Sequence, residues 1–394
     1  MEFEFWWLLS WVVFFGLGWI AARIDIKHLL SEARALPASY FKGINFLVKQ
    51  QEDKAIEAFI EVAKGNPQTV ELQFALGSLF RRRGEAARAI RMHQNLLERT
   101  DLQAEDKLNA LFELAQDYLK AGLLDRAEEL LDDLRKTSHS RAALGYLQDI
   151  YVQEKEWAKA IAVLKELNDS SHDYQKEIAN YYCEMAVTDY MQGRSDSARD
   201  YLREALKVNR RCVRANVILG EWEAREQHHE AAIEAWMKIE AQSPDHLALV
   251  AEGLLQSYQA LGKVGEGLKL LRGYQERYPA LDLLDVVFQA TLETEGVEAA
   301  YQLVRDDLRR SPTMLGLDKL LEAQLLQAPP ERQRDLQLIK NLVHSHGSRL
   351  AVYQCGNCGF TARQFYWHCP ACASWESYPP RLSAELEKAG KLNG

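Results

Sequence analysis

The sequence predicts an all-α chain of stacked helix pairs, led by an apolar membrane helix and closed by a small module built on four cysteines. Three observations predict it. A small residue recurs at near-constant spacing through most of the 394 residues. An uncharged run of eighteen residues lies near the N-terminus. Four of the six cysteines fall within eighteen residues near the C-terminus. The composition agrees: Ala, Leu, Glu, Arg and Gln, which lose little rotamer freedom in a helix, are abundant, and Pro is scarce at 10 residues. The net charge of −9 argues against nucleic acid as a partner, because phosphate-binding proteins carry a basic excess.

The first element is the run from Phe5 to Ala22. As a helix it spans about 27 Å, close to the ~30 Å hydrocarbon core. Trp6, Trp7 and Trp19 lie near its two ends, where indole rings favour the headgroup region. Glu2 and Glu4 precede it and Arg23 and Lys27 follow it, so the positive-inside rule puts everything after Ala22 in the cytoplasm. No Lys or Arg precedes the run, which counts against a cleaved signal peptide. The expected organisation is a transmembrane anchor over 1–22, a juxtamembrane linker over 23–35, about eight to nine repeats over 36–346, a four-cysteine domain over 351–380 and a tail over 381–394.

The repeats set the fold. The small residue stands at Ala55, Ala89, Ala127, Ala160, Ala198, Ala232, Gly267 and Ala300, at intervals of 34, 38, 33, 38, 34, 35 and 33 residues. Other positions keep the same phase. Twelve residues before it stand Gly43, Gly77, Ala115, Ala186 and Gly220, and nine before it Phe46, Phe80, Tyr118, Tyr151 and Tyr258. Gly84, Gly122, Gly193 and Gly262 lie five before it, in the turn, and Pro67, Pro244, Pro279 and Pro312 lie twelve after it. This resembles the tetratricopeptide signature, whose period is 34. The small sites are where paired antiparallel helices cross, the turn glycine accepts a left-handed backbone, and the proline ends the second helix. The two intervals of 38 imply four-residue insertions in turns, one within Thr100 to Lys107. One such unit cannot bury its apolar stripe alone; stacked units do, and form a superhelix with a concave binding face.

Within this acidic chain the second repeat carries Arg81, Arg82, Arg83, Arg88 and Arg91. Arg81, Arg82 and Arg88 are the candidate partner-binding residues, a local positive site for an acidic peptide or carboxylate. The competing reading is a solvated helix end, where cations are favoured by the dipole. Cys183 and Cys212 read as small hydrophobes in the helix seam. No GxSxG, HExxH or P-loop pattern occurs, so the reading is a binding protein and not an enzyme.

The strongest chemical signal is YQCGNCGFTARQFYWHCPACASW. Cys355 and Cys358, then Cys369 and Cys372, give two C-x2-C knuckles separated by ten residues. Two residues between cysteines let one tight turn aim both sulfurs at the same point, and two knuckles close a tetrahedron of thiolates around one ion, Zn²⁺ or iron. So short a segment cannot build a sufficient core, so the metal must supply much of its folding free energy. Tyr353, Phe360, Phe365, Tyr366, Trp367 and Trp375 are expected to wrap the site and dock it onto the last repeat helices. His368 is not expected to be a ligand, since four thiolates fill the shell. The patterns are rubredoxin-like, but the short gap between knuckles and the lack of a flavin or nicotinamide motif favour structural zinc over an iron electron carrier.

An apolar leader, a long tetratricopeptide array and a C-terminal rubredoxin-like knuckle together resemble the lipopolysaccharide assembly protein B family. The specific stretches are GINFLVKQQEDKAIEAF, LGSLFRRRGEAARAIRMHQ, AGLLDRAEELL and YWHCPACASW. The resemblance implies an inner-membrane protein facing the cytoplasm, with Cys355, Cys358, Cys369 and Cys372 as metal ligands. It also implies partners: the membrane AAA metalloprotease, the lipid A pathway deacetylase whose degradation it promotes, and a membrane regulator that reports lipopolysaccharide level. The alternative is a scaffold for the lipopolysaccharide synthesis or export machinery with no proteolytic role. Self-association is a further expectation for a tetratricopeptide array.

Overall fold

The computed structural model describes residues 38–65, 70–167, 173–279, 281–310, 312–350 and 353–379. The apolar run Phe5–Ala22, the stretch 23–35 and the tail 381–394 lie outside the described residues. Among the described residues no helix is long and apolar enough to cross a membrane.

The chain divides into two compact units, Met1–Gln153 and Glu154–Gly394. The first holds α1 (Ala38–Val48), α2 (Glu52–Gly65), α3 (Val70–Arg82), α4 (Ala86–Leu97), α5 (Ala104–Lys120), α6 (Leu124–Leu134) and nearly all of α7 (Ser140–Glu154). The second holds α8 (Trp157–Leu167), α9 (Gln175–Met191), α10 (Ser195–Val208), α11 (Val213–Arg225), α12 (His229–Met237), the short α13 (Ile239–Gln242) and a 3-10 segment Pro244–Leu249. It continues with α14 (Ala251–Ala260), α15 (Val264–Arg277), α16 (Leu284–Glu295), α17 (Val297–Arg310), α18 (Met314–Gln327) and α19 (Pro330–Leu350). It ends in two short strands, β1 (Tyr353–Gln354) and β2 (Thr361–Ala362). The helices are of the tetratricopeptide type, alternating as first and second members of helix pairs.

The phase read from the sequence is the phase of the packing. Ala55, Ala89, Ala127, Ala160, Ala198, Ala232 and Ala300 are each 0% exposed. The residue twelve positions earlier does more than let backbones approach. At Gly43, Gly77 and Gly220 the space a Cβ would need is filled by the ring of Phe59, His93 and Trp236 respectively, each four residues after the small site of the second helix. Trp236 also donates its indole N–H to the Val217 carbonyl at 3.2 Å. In two repeats where that position is Leu131 or Leu202, the residue twelve before the small site is Ala115 or Ala186, so a smaller side chain there goes with a residue that carries a Cβ.

The two longer intervals also have a different origin from the turn insertions expected. Helices α3 and α11 begin seven residues before Gly77 and Gly220, whereas α5 and α9 begin eleven residues before Ala115 and Ala186. The four added residues therefore form one extra N-terminal turn on the first helix. Helix propagation accepts them because each added residue closes one more backbone bond.

Six of the first helices end in the same way. Gln51, Glu85, Leu123, Arg194, His228 and Lys263 donate their N–H to the carbonyls of Phe46, Phe80, Tyr118, Asp189, Glu223 and Tyr258. This is the Schellman arrangement, and it needs a left-handed residue one position before the donor. Gly84, Gly122, Gly193 and Gly262 supply it, but Gln50, Lys155 and Gln227 adopt it too, with φ of 56°, 60° and 65°. Space around a Cβ at Gly122 is open, so a methyl there meets only the backbone penalty of φ 75°. Gly122→Ala is expected to lower stability by about 1–2 kcal/mol, read as a shift in the denaturant midpoint at constant slope. An unchanged midpoint would mean the turn relaxes freely.

Candidate metal centre and the repeat face that holds it

The two knuckles are built alike. In the first, Gly359 N–H donates to the Cys355 carbonyl and Cys355 N–H to the Phe360 carbonyl, both at 2.9 Å. In the second, Ala373 N–H donates to the Cys369 carbonyl and Cys369 N–H to the Ser374 carbonyl, again both at 2.9 Å. The residue after each pair has positive φ, 77° at Gly359 and 55° at Ala373. Strand β1 pairs antiparallel with β2, Tyr353 opposite Ala362 and Gln354 opposite Thr361, so the short hairpin encloses the first knuckle.

The four sulfurs converge. Cys355 and Cys372 Sγ lie 3.8 Å apart, as do Cys358 and Cys369 Sγ, and all four lie within 4.8 Å of one another. Bonds of about 2.3 Å from zinc to sulfur place the corners of a tetrahedron about 3.8 Å apart, so the donor set fits a four-thiolate ion without rearrangement. Asn357 Nδ2 donates to Cys372 Sγ at 3.6 Å, and the Ser374, Ser377 and Tyr378 hydroxyls stand 3.4, 3.3 and 3.8 Å from Cys372, Cys355 and Cys369. The Ser374 hydroxyl and amide draw Cys372 down to about 6. Cys358 is pushed up to about 12, where the favourable Phe360 amide is outweighed by lost water and the neighbouring sulfurs. Four thiolates crowded together resist ionising jointly, and a dication resolves that conflict.

His368 stands outside the shell. Its ring packs on Trp375 with centroids 4.4 Å apart, and burial keeps it neutral-favouring. A second convergence, Glu223, Glu226 and His228, is already neutralised by Arg199, which reaches Glu223 at 3.2 Å and Glu226 at 2.6 Å.

The module docks on repeats in the middle of the second unit, not on the last repeat helices as the sequence suggested. Trp375, 4% exposed, meets Tyr181 of α9 edge-on at 6.0 Å, and the Arg214 guanidinium of α11 lies 5.2 Å over its ring. Glu376 accepts a hydrogen bond from Asn180 Nδ2 at 3.3 Å and lies 3.8 Å from Cys212 Sγ. Trp367 stacks on His246 of the 3-10 segment at 5.7 Å and 7°. Burial holds His246 down at about 4, so a neutral ring faces the indole, and burial also raises the Glu376 carboxyl. Cys183 and Cys212 lie beneath, both 0% exposed, with sulfurs 3.9 Å apart.

Comparison with known proteins follows the same division. Residues 353–379 match the family model of a rubredoxin metal binding domain, and residues 42–99, 112–172 and 183–246 match that of the tetratricopeptide repeat. Lipopolysaccharide assembly protein B of Escherichia coli strain K12 is 34% identical over 367 residues, covering 92% of this chain and 94% of its own. The chain belongs to the lipopolysaccharide assembly protein B family. The Haemophilus influenzae member is 29% identical over 93% of this chain and 96% of its own. Among solved structures, the tetratricopeptide domain of P58(IPK) aligns at 15% identity over 81% of this chain and 97% of its own, with a TM-score of 0.24.

In this family member the second repeat uses its arginines unequally. Arg81 reaches Glu113 at 2.6 Å and Asp117 at 2.8 Å, both on α5. Asp117 is 0% exposed and its other oxygen meets His93 Nδ1 at 2.5 Å. Arg81 therefore ties α3 to α5, and through Asp117 the same network takes in His93 of α4. Arg82 is exposed, and Arg88, 60% exposed, pairs with Glu85 at 2.8 Å and lies 5.5 Å over Phe80. The residues the sequence reading missed are the docking set of Asn180, Tyr181, Arg214, His246 and Glu376. No repeat or knuckle pattern marked them.

Proposed function

We propose that this chain is an inner-membrane scaffold that regulates lipopolysaccharide biosynthesis by presenting the lipid A pathway deacetylase to the membrane AAA metalloprotease for degradation. The observation that carries the reading is likeness along nearly the whole chain, 34% identity over 92%, to a relative named for lipopolysaccharide assembly. The stacked helix pairs offer a protein-binding surface, and the apolar run Phe5–Ala22 supplies the tether. A tether raises the effective concentration of the repeats beside a membrane protease, which strengthens binding without any new contact. The first-helix face at α9 and α11 is taken by the chain's own metal module, so the proteolytic partners and the lipopolysaccharide-sensing regulator use other surfaces, with Arg81, Arg82 and Arg88 as candidate contacts. The ion is zinc, in a closed structural site.

A second reading keeps the same surfaces and takes the word "assembly" in the relatives' name literally: a scaffold for the synthesis or export machinery. Deacetylase half-life in cells depleted of this protein separates the two. Adaptor function requires the half-life to lengthen several-fold; an unchanged half-life leaves the assembly scaffold. Elemental analysis of the purified chain tests the ion: one zinc per chain is expected, and visible thiolate–iron absorption with stoichiometric iron would favour the electron carrier.

A further inference from the structure

The first described helix carries an exposed apolar stripe. Phe41 is 60% exposed, Ile44 39% and Val48 78%, and steps of three and four residues put them on one side of α1. The opposite side does the packing: Gly43 is buried against the Phe59 ring, and Phe46 packs into the cluster of Ala55, Phe59 and Leu76. Lys42 and Lys49, both exposed, lie along one flank of the stripe with Asn45. The helix thus has three faces, one against the repeat, one apolar and outward, one basic.

Fifteen residues separate Ala22, the end of the uncharged run, from Ala38, the start of α1. A chain of that length spans about 55 Å at full extension and less when folded, so a membrane anchor keeps α1 within reach of the bilayer surface. A basic flank beside an apolar stripe is the pattern of a helix lying in the headgroup region. The chain as a whole carries −9 and is repelled by anionic lipid, which makes Lys42 on this helix and Lys49 just past its end informative about direction.

We propose that α1 lies in the interface of an anionic bilayer, with Phe41, Ile44 and Val48 in the acyl boundary and Lys42 and Lys49 against lipid phosphates. This inference rests on the anchor reading and adds to it a second membrane contact, which fixes how the first repeat faces the membrane.

The full chain, reconstituted in nanodiscs containing phosphatidylglycerol, tests it with p-benzoylphenylalanine placed at Ile44 or Val48. The control position is Met191, 81% exposed and far along the chain. Illumination is expected to give lipid adducts at Ile44 and Val48 several-fold above Met191. Phosphatidylcholine alone is expected to lower the yield, and so are Lys42→Glu and Lys49→Glu, each by about fivefold, with helicity unchanged. Yields at Ile44 and Val48 no higher than at Met191, in a chain that has entered the nanodisc, overturn the proposal. Adducts to a second copy of the chain or to its own residues 1–37 overturn it too and name the true occupant. A chain that does not enter nanodiscs overturns the anchor reading, and this inference with it.

Discussion

Removing the ion from the four thiolates is expected to unfold residues 353–379 while the repeats stay helical. A structural zinc site contributes on the order of 10 kcal/mol of folding free energy. The module has little else to hold it: a two-residue strand pair and the small buried cluster of Cys355, Cys369 and Tyr378. A chelator strong enough to strip the ion, or Cys355→Ser with Cys372→Ser, is therefore expected to release Trp367 and Trp375 from Tyr181, Arg214 and His246. Their emission should shift to the red as Trp375 enters water, and far-ultraviolet dichroism should change little. A module that keeps its tryptophan signal after loss of the ion would show that docking, not metal, folds it.

The second large effect belongs to Asp117. Its two oxygens hold His93 and Arg81, His93 and Asp117 are both 0% exposed, and Arg81 is 16% exposed at its side chain. Asp117→Ala leaves a guanidinium and an imidazole buried without their shared acceptor, and the expected loss is about 3–5 kcal/mol. Glu113→Ala removes the other, partly exposed acceptor of Arg81 and is expected to cost only about 1 kcal/mol. Both are read from the denaturant midpoint of the full chain. Equal losses for the two variants would mean that the network is not centred on Asp117.

The sequence made the repeat phase legible because helix crossings tolerate only small side chains, and that constraint recurs at Ala55, Ala89, Ala127 and their successors whatever fills the rest of the repeat. The convergence of the four cysteines was legible for a similar reason: the C-x2-C spacing is dictated by the turn that aims two sulfurs at one point. What the period could not give was where four extra residues go, since a count along the chain is the same for a longer loop and for the longer first helices α5 and α9. The internal role of Arg81 was half-legible. Its acceptors Glu113 and Asp117 lie 32 and 36 residues ahead, about one period, so adjacent repeats bring the same faces together. The docking of the metal module was not legible at all. Asn180 and Glu376 are 196 residues apart and share no motif, so their meeting depends on how the chain returns after α19.

A metal-folded module seated on the first-helix face of the middle repeats is the centre of this structure. Hydrogen exchange of the full chain, loaded with zinc and then stripped, reads that seat directly. Amides in 175–191 and 213–225 are expected to lose protection when the ion leaves, while those in 104–134 keep theirs. Unchanged protection in α9 and α11 after complete metal loss would contradict it.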